Sequence, residues 1–101
     1  MPSIDTIKQN LYPVFEQEPV YRAILFGSFA KGTATDGSDI DIVIDSRGKL
    51  IGLGFYRVLE KAVCAINMDI DMLEISQILP GSPILEAINR EGIVIYDREI
   101  A

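Results

Sequence analysis

The stretch GSFAKGTATDGSDIDIVI, residues 27–44, carries the reading of this chain. Gly27 and Ser28 open it, Lys31 and Gly32 follow, and a polar loop then leads to Asp39-Ile40-Asp41 at the head of an apolar run. DIDIVID (39–45) alternates acidic and apolar residues as far as Val43, the period of a β-strand. Asp39 and Asp41 therefore project from one face, about 6–7 Å apart along the backbone. Two ionised carboxylates this close repel each other, and no basic residue in the local run offsets them. A divalent cation of the magnesium type, which prefers carboxylate, water and phosphate oxygens, would. Just upstream, Gly27 permits a tight turn and close backbone approach. Ser28 offers a hydroxyl and an amide at a helix start, and Lys31 adds positive charge. An anion cradle beside a metal site is what chemistry on a nucleoside triphosphate requires.

Working outward, Ser3 caps a first helix with Ile4, Ile7, Leu11 and Val14–Phe15 at helical spacing, and Pro13 is expected to kink or end it. VYRAILF (20–26) reads as a largely buried strand, and GSFAKG as a tight turn opening a short helix. A helix is predicted over about 53–66 with Phe55, Leu59, Ala62, Val63 and Ile66 on its apolar face, and Cys64 beside them as packing. MDIDMLEI (68–75) alternates like a strand. Pro83 starts a helix running to about residue 89 or 90, with Gly92 as its C-cap, and IVIY (93–96) is a last strand. The order α-β-α-β-α-β-α-β predicts an α/β domain in which helices pack on one sheet.

The totals set outer limits. A chain of 101 residues, 49% hydrophobic and 24% charged, has the composition of one globular domain. No apolar run is long enough to span a bilayer, and MPSIDTIKQN has no signal-peptide core, so a cytoplasmic location is expected. The single Cys64 suits a reducing compartment. With no histidine, acid–base chemistry falls to carboxylates and hydroxyls. A formal charge of −6 argues against binding a nucleic-acid backbone. Two local patterns are excluded: GSFAKGT has Thr33 where a phosphate-binding P-loop needs lysine, and GLG (52–54) has Arg57 where a dinucleotide fingerprint needs glycine.

Gly27-Ser28, ten residues, then Asp39-Ile40-Asp41 resembles the signature of the DNA polymerase β-like nucleotidyltransferase superfamily. The fuller text GSFAKG…SDIDIVI is similar to its small stand-alone branch, the minimal nucleotidyltransferases paired with HEPN-domain proteins in toxin–antitoxin systems. Lys31 departs from the arginine common in that branch, which keeps the charge and loses forked hydrogen bonding. The resemblance implies one minimal nucleotidyltransferase domain over residues 1–101, α/β with α+β character, built on a single mixed sheet. It implies Asp39 and Asp41 as catalytic residues binding two magnesium ions, with a third carboxylate on the neighbouring strand. Asp71 is preferred there, with Asp69, on the same face, as the alternative. It assigns Gly27, Ser28 and Lys31 to the nucleotide. The implied reaction moves a nucleoside monophosphate, AMP from ATP first, to an acceptor hydroxyl, a tyrosine of a partner HEPN toxin. An alternative is an antitoxin of weak or no activity that neutralises its partner by binding alone. Transfer to RNA or to an antibiotic is disfavoured, because the sequence shows no basic RNA-binding surface and no separate substrate domain.

Overall fold

The computed structural model describes residues 1–99. Ser3 accepts a hydrogen bond from the Thr6 amide and starts α1 (Ile4–Glu16). β1 (Arg22–Phe26) runs into α2 (Gly27–Lys31), and a loop then leads to β2 (Ile40–Asp45). α3 (Leu53–Ile66), β3 (Ile70–Glu74), a 3₁₀ turn (Ile75–Gln77), α4 (Pro83–Glu91) and β4 (Ile93–Asp97) complete the order. The strands form one sheet in the order β3-β2-β1-β4. β1 pairs antiparallel with both β2 and β4, while β2 and β3 are parallel, so the sheet is mixed as expected.

Period-two alternation decides which side of the sheet carries the core. Ile40, Ile42 and Ile44 are fully buried, as are Ala23 and Leu25, which pair with Ile44 and Ile42. On that side Ile7, Leu11 and Phe15 of α1 and Val58 and Ala62 of α3 join them in one apolar cluster. The other side carries Ile24 opposite Val43 and Phe26 opposite Asp41, with α4 packed against β1. The carboxylates of interest lie on this second, partly covered side.

Three local expectations are corrected. α1 does not end at Pro13 but continues to Glu16. Pro13 is solvent-exposed, so water can serve the Gln9 carbonyl that lacks an amide donor. Full burial of Ile7, Leu11 and Phe15, each contributing about 1.5–3 kcal/mol, outweighs the ~3 kcal/mol cost of an internal proline. In α3 the bounds are as predicted, but the face is centred on Val58 and Ala62, with Phe55, Leu59, Val63 and Ile66 at its flanks. Val58, outside the predicted face, is fully buried, and Cys64 points to solvent. β1 begins at Arg22, two residues later than its apolar run.

Gly92 caps α4, although its φ of −63° is one that any residue adopts. Glycine is required there by crowding. A Cβ would lie 2.4 Å from the Ile88 carbonyl oxygen and 2.6 Å from Ile24 Cγ2. Gly92→Ala is therefore expected to destabilise the fold by about 1–3 kcal/mol, read from the urea midpoint. A midpoint equal to that of the native chain would contradict the close approach of α4 to β1.

Candidate active site

The site assembles at the end of β1. Phe26 lies opposite Asp41 in the antiparallel ladder, and the next residue, Gly27, turns into α2 with φ +72°. This direct strand-to-helix passage lays Gly27 against Asp41. A Cβ on Gly27 would sit 2.1 Å from Asp41 Oδ2 and 3.0 Å from its Cγ. Glycine is thus doubly required, by its left-handed backbone and by the carboxylate occupying the space of a side chain.

The parallel ladder supplies the next member. Asp41 pairs with Asp71, so the two carboxylates lie side by side on the open face of the sheet. Asp39 stands just before β2 on the same side. Burial, then the charges of Asp71 and Asp39, push the Asp41 carboxyl up from its ordinary value. Asp69 is exposed just ahead of β3, and its carbonyl accepts the Ile40 amide at 3.1 Å. The structure therefore gathers Asp39, Asp41 and Asp71 at Gly27, with Asp71 as the strand partner of Asp41.

Ser28 follows in the first turn of α2, and Phe26 at the N-cap contributes no side-chain hydrogen bond. Lys31 ends the helix, half-exposed, with Nζ 3.6 Å from Glu91 Oε2 of α4. That carboxylate was not anticipated, because nothing in the local sequence brings the end of α4 to α2. Asp45, on the Asp41 face at the far end of β2, accepts the Arg47 amide at 3.0 Å and serves the connector.

The donor set suits a hard divalent cation. Among the described residues, Asp39, Asp41 and Asp71 take part in no ion pair, so three carboxylates share one face without a cationic side chain. Also among the described residues, no group of three acidic or cysteine side chains is placed so that it could hold a metal ion. An ion held here would take one or two carboxylate oxygens and complete its shell with water and phosphate, as magnesium does.

Comparison with known proteins gives the family and the fold. The family model described as "Polymerase beta, Nucleotidyltransferase" matches residues 9–101. A Methanocaldococcus jannaschii protein, named as a candidate protein adenylyltransferase, is 30% identical over 79 residues, covering 77% of this chain and 84% of the relative. A toxin–antitoxin crystal structure with AMP-PNP superposes with a TM-score of 0.76 at 20% identity, over 92% of this chain and 75% of that chain. A chain from the complex of a tri-AMPylated Shewanella oneidensis HEPN toxin with MNT antitoxin superposes with a TM-score of 0.70 at 16% identity, over 96% and 75% of the two chains. At these identities the structural likeness establishes the fold. The family match runs through both carboxylate-bearing strands and nearly the whole sequence, and the chain therefore belongs to the polymerase beta nucleotidyltransferase family of enzymes.

Proposed function

We propose that this chain, as one cytoplasmic domain over residues 1–101, is a magnesium-dependent nucleotidyltransferase that moves AMP from ATP to a tyrosine hydroxyl of a HEPN-domain toxin and so acts as its antitoxin. The observation that carries the reading is the pairing of Asp41 with Asp71 beside Gly27, with Asp39 adjacent and no cationic partner among the described residues. Support also comes from the relative named for protein adenylyltransferase activity and from the neighbours solved with AMP-PNP and with an AMPylated HEPN toxin.

In this reading Asp39 and Asp41 hold the magnesium ions, with Asp71 contributing to the second. When bound, the ions neutralise charge on the triphosphate and on the departing pyrophosphate. Gly27 lets the backbone approach the phosphates, Ser28 orients them through its hydroxyl and amide, and Lys31 supplies positive charge. Asp71 accepts the proton of the acceptor hydroxyl as that oxygen bonds to the α-phosphorus. The bond from the α-phosphorus to the bridging oxygen breaks in line, and pyrophosphate leaves with the electron pair.

The test combines the chain, ATP labelled at the α-phosphate, magnesium and the candidate HEPN partner. Label is expected on the partner, and Asp39→Asn is expected to remove it. Neutralisation of the partner by Asp39→Asn at native strength, with no label transferred, would instead show that the chain acts by binding alone. Magnesium with nucleotide at a hundredfold excess over Kd is also expected to stabilise the native chain by about 2.7 kcal/mol and to leave Asp39→Asn unmoved. Equal thermal shifts in the two proteins would reject the assigned site.

A further inference from the structure

β3 presents Ile70, Met72 and Glu74 to the core side of the sheet, and the third of these is a carboxylate with no solvent exposure. Glu74 Oε2 accepts the Ser46 amide at 2.7 Å and the Ser46 hydroxyl at 2.6 Å, and Oε1 accepts the Ser76 amide at 2.7 Å. Ser46, also fully buried, accepts the Leu50 amide on the same hydroxyl at 3.1 Å. Every donor is neutral. Burial pushes the Glu74 carboxyl up, yet the hydrogen bonds from Ser46 and Ser76 outweigh it and hold the group below its ordinary value. A chain that buries a carboxylate in its core and surrounds it with donors drawn from two strand ends has made those ends specific to each other.

The specificity is needed because nothing local sets the register of β2 on β3. The two strands are parallel and joined through α3, so no hairpin turn aligns them. A slip of one residue would turn the apolar faces outward and is excluded by burial. A slip of two residues keeps every face: moved one way, Met72 would stand opposite Ile44 and Ile70 opposite Ile42; moved the other, Met72 would stand opposite Ile40 and Glu74 opposite Ile42. Such a slip would place Asp69 or Leu73 beside Asp41 in place of Asp71. The slip that brings Leu73 to Asp41 would also carry Glu74 about 6–7 Å further from Ser46, out of its contacts, and strand a carboxylate beside Ile42. The slip that brings Asp69 would instead set Glu74 opposite Ser46 and is not opposed by this pair.

We propose that Glu74 is a positioning residue: by binding Ser46 across the ends of β2 and β3, it holds β3 against the slip that would put Leu73 in place of Asp71 beside Asp41. The proposal deepens the transfer reading, which uses Asp71, but it is a statement about strand geometry and can be tested without nucleotide or acceptor.

Cysteine pairs report the register in the full chain with Cys64→Ser. Paired residues of a parallel ladder are about 4.8 Å apart, within disulfide range, whereas the diagonal from 41 to 69 is about 8 Å and beyond it. With Glu74 in place, mild oxidation is expected to close the Asp41→Cys/Asp71→Cys pair severalfold more completely than Asp41→Cys/Asp69→Cys or Asp41→Cys/Leu73→Cys. Adding Glu74→Met, which keeps volume and suits an apolar face, is expected to cut the preference over the Asp41→Cys/Leu73→Cys pair severalfold and to raise that diagonal pair. Ser46→Ala, which leaves Glu74 without its hydroxyl donor, is expected to do the same more mildly and decides the matter if Glu74→Met does not accumulate as folded protein. An undiminished preference for the 41–71 pair in the folded variant overturns the proposal. That result would leave the transfer assay standing, just as a failed transfer assay would leave the register standing.

Discussion

Asp41→Asn is expected to abolish nucleotidyl transfer while making the protein more stable at neutral pH. Loss of one preorganised electrostatic contact at a reacting centre costs on the order of 10²–10³ in kcat, and Asp41 sits between the other two carboxylates of the site. Stability moves the other way because the native fold holds this carboxylate against its preference. Its folded pKa is raised by burial and by the charges of Asp71 and Asp39. Well below the ordinary aspartate value of about 3.9, the group is protonated folded or unfolded and costs nothing. As pH rises through the elevated folded value, the native chain loses stability that the asparagine variant keeps. After solvent screening the gain is on the order of 0.5 kcal/mol, or roughly 2–4 °C in Tm. Urea titrations of both proteins at about pH 2.5, below the ordinary aspartate value, and at pH 7 should therefore converge at the lower value and separate at the higher. An asparagine variant less stable than native at pH 7 would mean that Asp41 is held by a favourable partner.

Gly27→Ala is expected to be the most damaging change that leaves every charge in place. Its φ of +72° is strained for alanine, and the added methyl would fall 2.1 Å from Asp41 Oδ2. The clash extends to Asp41 Cγ and Cβ at 3.0 and 3.2 Å, so turning the carboxylate tip does not relieve it and the whole side chain must move. The stability cost is about 1–3 kcal/mol, and displacing a reacting group by an ångström lowers turnover on the order of 10²-fold. Gly32→Ala is the control. Gly32 has nearly the same backbone, φ +77°, but an added Cβ would meet nothing within 4 Å. It should lose only about 1 kcal/mol and retain near-native kcat. Equal turnover in the two variants would show that the approach of Gly27 to Asp41 is immaterial to catalysis.

Much of the architecture can be read from residues close in sequence. Ser3 accepts the Thr6 amide and starts α1 where a cap is expected, and Pro83 opens α4 as expected, behind Ser82, which accepts the Leu85 amide. The apolar repeat of α3 returns its bounds, Leu53–Ile66. Alternation marks β2 and β3, and the spacing from Gly27-Ser28 to Asp39-Ile40-Asp41 marks the candidate site. Pro13 misled because its local penalty was weighed without the three buried side chains that override it. Glu74 was visible as a charge in phase with Ile70 and Met72, but its meaning was not, since Ser46 lies in a distant segment, just past the end of β2.

Caps, turns and periodicities of two and 3.6 are interactions among near neighbours, so the sequence alone determined the order of elements, the faces of the strands and the pairing of Asp39 with Asp41 on one side. Only the tertiary structure chose Asp71 over Asp69 as the strand partner of Asp41, set Gly27 against Asp41, and gave Lys31 the carboxylate of Glu91. Those choices depend on the register of a parallel ladder joined through a crossover helix and on the packing of α4 beside α2. Alternation is blind to a two-residue slip, and only contacts between distant segments, such as Glu74 with Ser46, distinguish one register from the next.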